Sequence, residues 1–179
     1  RIADFVGIGN GTDYAVWDPV SAEEKPVKKA LLQTKLNFTV SKKIPLVGMV
    51  ARVDKQKGVR QVVRVIRWIL EETKGGIQFV YLGKAAKGDP YGAEVTQELK
   101  DLQAEWPNNV SFMSKYNTDQ QKEVFQSIDI HMYPSEFEPF GTKPVVALIN
   151  RAPGVVRKTG GLADNFKEYE WVTGRGNGW

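Results

Sequence analysis

Apolar positions along the chain follow two different periods. Five short runs, Pro45–Val50, Ile77–Leu82, Val110–Met113, Ile128–Tyr133 and Gly154–Val156, are rich in β-branched or aromatic residues and mostly do not alternate with polar ones. Such runs predict strands buried on both faces. Between them the spacing becomes helical. Val59, Val62, Val63, Ile66, Ile69 and Leu70 share one face of a helix predicted over Val59–Lys74, and Gly75-Gly76 supplies its stop. Val95, Leu99, Leu102 and Trp106 form a second stripe, ended by Pro107. Thr118 with Gln121 reads as a capping box ahead of Val124, Phe125 and Ile128. Thr142–Asn150 predicts a helix with Pro144 in its first turn, although Val145 and Val146 would also suit a strand. Asp18–Lys43 is polar and charged, with a short helix predicted near Val27–Leu36. Residues 1–43 therefore read as a connector, and 44–179 as the folded domain.

Strands alternating with helices predict an α/β domain with a mostly parallel sheet and helices packed on it. Such sheets bind ligands beyond the C-terminal ends of their strands. Function is therefore sought in the loops Ala51–Lys57, Gly83–Pro90, Ser114–Asn117, Pro134–Thr142 and Lys158–Leu162. Composition narrows the chemistry. With 179 residues, 41% hydrophobic and 26% charged, the chain is a globular domain rather than a disordered or fibrous segment. It has no cysteine, which excludes a disulfide scaffold, a thiolate zinc site and a cysteine nucleophile. Its one histidine, His131, lies in an apolar run and reads as a core or edge residue. No apolar run has the ~18 residues of a membrane span. The net charge of +4 suits a phosphate-bearing small ligand, and dense basic runs of the nucleic-acid-binding kind are missing. Neither a membrane nor a nucleic acid is expected as partner. The chain opens on Arg1 and stops at Trp179 after a glycine-rich stretch, and both ends read as cut.

Three loops could carry chemistry. Met49–Gly58 ends a strand, turns and starts a helix, with Arg52 and Lys57 flanking the turn. Two cations beside a helix N-terminus suit a diphosphate, and a solvated basic loop is the plainer alternative. The glycine spacing of a Walker loop is missing. Tyr133–Thr142 carries two acids, two prolines and a glycine at the ligand edge. Glu138 there could accept hydrogen bonds from sugar hydroxyls, and Gly141 could let backbone N–H groups approach a phosphate. A turn with surface acids is again the plainer reading. Lys158–Asp164, like Asn10–Asp13, is compatible with an ordinary tight turn. Trp17, Trp68, Trp106, Trp171 and Trp179 lack the spacing of a stacking platform and read mostly as packing residues.

The motifs also occur in a telling order: Asn10-Gly11-Thr12-Asp13 with Trp17-Asp18-Pro19, Pro45–Arg52 with Gln56-Lys57-Gly58, Gln78–Gly83, Pro134–Gly141, and Thr159–Asp164. Together they resemble the C-terminal half of bacterial glycogen synthases and plant starch synthases, over nearly the whole chain. The resemblance implies a retaining glycosyltransferase of the GT-B type, in which two Rossmann-like domains face a cleft. This half would hold the nucleotide-sugar donor, ADP-glucose or, in other relatives, UDP-glucose. An α-glucan acceptor would reach it through an N-terminal domain that this chain lacks, and the fragment alone would not turn over. By the same resemblance Arg52 and Lys57 neutralise the donor diphosphate, Glu138 contacts the transferring glucose, Gly141 and Thr142 offer amides to the phosphates, and Tyr116 lies beside the base. Neither a metal nor another cofactor is implied, and the location would be cytoplasmic or plastidic. The family usually has Arg, Cys, Leu and Gln where this chain has Glu136, Phe140, Thr142 and Pro144. A sucrose synthase relative would have a second glutamate at the position of Val146. The substituted loop also leaves room for a degenerate, non-catalytic glucan- or nucleotide-binding domain. In this half without its partner domain, Glu138 is expected to be exposed and both cations solvated.

Overall fold

The five apolar runs become one sheet. In the computed structural model, which describes residues 10–115 and 117–179, the strands are β1 (Leu46–Val50), β2 (Gln78–Leu82), β3 (Val110–Met113), β4 (Ile130–Tyr133) and β5 (Gly154–Val156). Their order is β3-β2-β1-β4-β5 and every pairing is parallel. Strands β1 and β2 are buried along their whole length, which is why their sequences show no alternation.

Helices cover both faces. Helix α3 (Val59–Glu72) and helix α4 (Pro90–Glu105) bury Val62, Val63, Ile66, Leu70, Val95, Leu99 and Leu102 against Val47, Met49, Phe79 and Tyr81. On the opposite face α5 (Thr118–Ser127) and α6 (Thr142–Ile149) bring Val124, Phe125, Val146 and Ala147 onto Leu46, Val50, Val80 and Leu82. The predicted α/β, Rossmann-like architecture is therefore present. The last helix, α7 (Gly160–Asn165), adds Leu162 to the first core.

Two local readings need adjustment. The capping box of α5 sits one residue earlier than Thr118 and Gln121. Asn117 is extended, its side chain accepts from the Gln120 N–H, and the Gln120 side chain accepts from the Asn117 N–H. Asn is at least as good a cap as Thr, and Asn117 with Gln120 keeps the same three-residue spacing. The strand alternative for Val145-Val146 gives way to α6. Pro144 falls at its third position, where the missing N–H would have no intrahelical partner anyway.

Before the sheet, α1 (Tyr14–Trp17) is capped by the Asp13 carboxylate, and α2 (Lys25–Lys35) occupies the segment predicted to hold a short helix. Leu32 and Phe38 enter the second core. Polar groups fix this helix as firmly as its apolar face does. Lys29 Nζ donates to the Ile44 carbonyl at 2.7 Å and to Asp129 at 2.6 Å, and Asp129 accepts the Leu46 N–H at 2.7 Å. Gln33 donates to Gln78 at 2.7 Å, and Lys25 Nζ donates to the Asn150 carbonyl at the end of α6 at 2.6 Å. A buried ammonium is tolerated because its donors are satisfied.

The strand order reverses direction between β1 and β4. In such sheets the crevice beyond that reversal is where ligands lie. The loops that follow these two strands are Ala51–Gly58 and Pro134–Gly141.

Candidate functional site

After Val50 the chain leaves the sheet. Asp54 is extended and accepts the Lys57 N–H at 3.0 Å, which caps a single turn of 3₁₀-helix over Lys55–Lys57. Gly58 then takes a left-handed conformation, φ 67°, and starts α3. A Cβ at Gly58 would lie 2.7 Å from the Pro134 carbonyl oxygen, so the loop after β1 presses directly on the loop after β4. Two hydrogen bonds lace them. The Glu136 N–H donates to the Gln56 carbonyl at 2.7 Å, and Gln56 Nε2 donates to the Phe137 carbonyl at 3.0 Å.

This lacing sets Lys57 against Glu138, with Nζ 2.5 Å from Oε2 and the ammonium 5.0 Å from the centre of the Tyr133 ring. The expectation of an exposed glutamate and solvated cations fails here. The side chains of Lys57 and Glu138 are only 10% and 12% exposed. They neutralise each other at the joint between two loops pressed together. Arg52 does match the expectation. Its side chain is 66% exposed and meets Asp54 at 3.2 Å.

Arg52, Lys57, Glu138 and Thr142 all line one cleft of about 300 Å³, together with Ala51, Tyr133 and Lys143. Gly141, at φ 88°, forms the cap of α6 at the edge of this loop, and a Cβ there would come within 2.8 Å of Leu162. Glu136 is exposed and does not line the cleft. Tyr116, expected beside a base, lies outside the described residues.

Charge in the cleft follows from burial and neighbours. Burial opposes the Lys57 charge, but the hydrogen bond to Glu138 and the attraction of Tyr133 and Glu138 hold its pKa above the usual lysine value. Burial pushes the Tyr133 hydroxyl up, against the pull of Lys57. Burial, and then the repulsion of Lys57 and Arg52, bring Lys143 below the ordinary range. Behind the cleft, His131 is fully buried between Phe125 and Tyr133, its ring stacked 5.5 Å from that of Tyr133. Neither of its ring nitrogens has a hydrogen-bond partner among the described residues. Burial and Lys143 lower its pKa to about 3, so the imidazole is neutral near pH 7.

The glycine pair that reads as an ordinary turn is the backstop of the site. A Cβ on Gly160, at φ 44°, would run into the Glu138 carbonyl, and one on Gly161 into the Phe140 backbone. The Gly161 N–H donates to the Glu138 carbonyl at 2.9 Å, and Asn165 Nδ2 donates to the Phe140 carbonyl at 2.9 Å. Only glycine lets α7 approach closely enough to hold the Glu138 loop forward. Sequence reasoning also missed Tyr133 and Lys143. The second carried a signal, because a lysine in the first turn of a helix sits at the wrong end of the helix dipole unless something there needs a cation.

Residues 33–179 match the family described as Glycosyl transferases group 1. The chain belongs to that family. Similar proteins agree with the match. A glycogen synthase of Pseudothermotoga lettingae is 31% identical over 190 residues, which covers 99% of this chain and 37% of that protein. A glycogen synthase of Clostridium acetobutylicum is 33% identical over 190 residues, covering 99% and 38%. Among solved structures, the catalytic domain of starch synthase IV from Arabidopsis thaliana bound to ADP and acarbose superposes with a TM-score of 0.77 at 27% identity, over 93% of this chain and 35% of that one. This glycosyl transferase chain thus spans little more than a third of the length of these relatives. Among its described residues no helix is long and apolar enough to cross a membrane, and no cluster of three or more His, Cys, Asp or Glu could hold a metal ion. What the cleft offers is three cationic side chains, Arg52, Lys57 and Lys143, and one carboxylate, Glu138, at the sheet's reversal point.

Proposed function

We propose that this chain is the donor-binding half of a glucosyltransferase of the glycogen and starch synthase kind. It would hold ADP-glucose while glucose passes, with retention of configuration, to the non-reducing end of an α-1,4-glucan. The observation that carries this reading is the Lys57–Glu138 pair beside Arg52 in one cleft at the reversal point, where a nucleotide sugar would need both cations and a hydroxyl acceptor. The names of the relatives, and the ADP bound to the starch synthase, support the same reading.

The chemistry would divide as follows. As the bond between the sugar and the phosphate breaks, negative charge grows on the leaving diphosphate. Arg52 and Lys57, with the amides at the Gly141–Thr142 turn, stabilise that charge. Glu138 accepts hydrogen bonds from the glucose hydroxyls and orients the ring. The acceptor hydroxyl approaches on the same face of the sugar, and the departing phosphate takes its proton. No step calls on a metal. Residues 44–179 form the donor domain in this reading, 1–43 lead in from an acceptor-binding domain, and the protein works in the cytoplasm or a plastid.

ADP-glucose is favoured over UDP-glucose by Val146. The position where a UDP-glucose-using relative such as a sucrose synthase would carry a second glutamate is here a valine, fully buried in the second core. The test is incorporation of labelled glucose into a glycogen primer by the protein carrying this chain with its acceptor domain, supplied with ADP-glucose or UDP-glucose. The expected result is faster incorporation from ADP-glucose, and a loss of about 10²-fold or more in Glu138→Gln. Incorporation from neither donor, or full turnover by Glu138→Gln, would overturn the reading.

A further inference from the structure

The two groups assigned to opposite ends of the donor are each other's partners in the free cleft. Lys57 Nζ lies 2.5 Å from Glu138 Oε2, and the two side chains are 10% and 12% exposed. Arg52 differs. Its side chain is 66% exposed and meets Asp54 at 3.2 Å in a contact open to water. A solvated pair of that kind gives up its partner to a phosphate easily. The inner pair does not.

Glu138 is held on Lys57 by its own loop. The Gly161 N–H donates to the Glu138 carbonyl at 2.9 Å, and Gly160 packs so closely behind that carbonyl that a Cβ would collide with it. Gln56, next to Lys57, binds Glu136 and Phe137 on either backbone side of the approach to Glu138. Among the described residues Lys57 is the one group that donates to the Glu138 carboxylate. A phosphate that takes the ammonium therefore does two unfavourable things. It strips a largely buried carboxylate of its donor, and it sets a second anion beside it. A ligand that carries a sugar offsets both effects, because its hydroxyls donate to the carboxylate as the lysine turns to the phosphates. A bare nucleoside diphosphate brings no donor to that end of the cleft.

We propose that Glu138, held on Lys57, is a specificity element of the donor site: it competes with phosphate for the lysine, so that the cleft grips a diphosphate fully only when a hexose occupies the sugar end. The proposal rests on the donor-site reading above. Once the sugar has been transferred, the carboxylate reclaims the ammonium and weakens the hold on the spent nucleotide. The coupling is reciprocal, so a sugar in the cleft strengthens diphosphate binding by the factor by which the diphosphate strengthens sugar binding.

Calorimetric titration of the chain with ADP tests this in the parent and in Glu138→Gln, each with excess glucose and with sorbitol at the same concentration as a control. Glu138→Gln should bind ADP about fivefold tighter than the parent or more, because the lysine has lost its anionic rival. In the parent, glucose should tighten ADP about fivefold or more relative to sorbitol. In Glu138→Gln that effect should fall below about twofold. The parent arm needs no variant, and it decides the question even if Glu138→Gln does not fold. ADP binding by folded Glu138→Gln at or below the parent's strength would overturn the proposal. So would a parent whose ADP affinity is the same in glucose and in sorbitol. A parent chain with no saturable ADP binding would instead defeat the donor-site reading, and this inference with it.

Discussion

Replacing Lys57 by methionine separates a structural ion pair from a loose surface one. The substitution keeps the length and apolar stem of the side chain but leaves Glu138 without its partner at the joint of two loops. Breaking a buried pair by removing one partner typically costs ~3–5 kcal/mol, because a buried charge is left uncompensated. Here the two side chains are 10% and 12% exposed, and Glu138 can turn toward the water in the cleft. That places the cost at or just below the bottom of this range, about 2–3 kcal/mol. For a chain of this size 1 kcal/mol moves Tm by about 2–4 °C, so Lys57→Met should melt roughly 5–10 °C lower. Thermal unfolding followed by circular dichroism at pH 7 reads this directly. The double variant Lys57→Met with Glu138→Gln should melt no lower than Lys57→Met alone, because the orphaned charge is gone. A single variant within about 1 °C of the parent, or additive losses in the double variant, would refute the claim that the pair is buried and coupled.

Other expectations follow from the same structure. His131 is neutral in the native state and can take a proton once unfolded, so stability is full above about pH 6.5 and falls by ~1.4 kcal/mol per unit as pH drops toward the native value of about 3. Melting curves from pH 4.5 to 7.5 should lose part of that slope in His131→Leu, and an unchanged slope would mean the ring is not buried neutral. Leu32→Ala, on a side chain with no exposure, should cost ~2–5 kcal/mol in urea unfolding if α2 is part of the cooperative core. Gly161→Ala should leave the far-ultraviolet spectrum unchanged yet weaken ADP binding about tenfold, because its methyl group would displace the Phe140 backbone and with it Glu138. Parent-like ADP affinity in that variant would dissociate α7 from the site.

Much of this architecture was legible because the strands are buried on both faces. Runs such as Leu46–Val50 and Gln78–Leu82 have no polar alternation to confuse with a surface strand, and the stripe from Val59 to Leu70 has one period. The α5 cap was one residue off because Asn117 and Thr118 are both good caps with a glutamine three positions on. The site was harder to read. Arg52, Lys57 and Glu138 could be named from their loops, but the burial of Lys57 depends on a contact with a residue 81 positions away. The role of Gly160 and Gly161 likewise exists only where α7 meets the Glu138 loop. Local propensity carries no information about either contact. Lys143 was visible only as a breach of the helix-dipole rule.

The central claim is that a nucleotide sugar binds where the loops after β1 and β4 meet. Amide shift mapping by NMR during titration of the labelled chain with ADP-glucose tests it most directly. The account predicts the largest changes in Ala51–Gly58, Pro134–Lys143 and the Thr159–Leu162 turn, with α2 and the exposed face of α4 nearly silent. Changes concentrated instead in the groove between α2 and α5, around Lys28, Lys35, Lys122 and Glu123, or no saturable change at all, would contradict it.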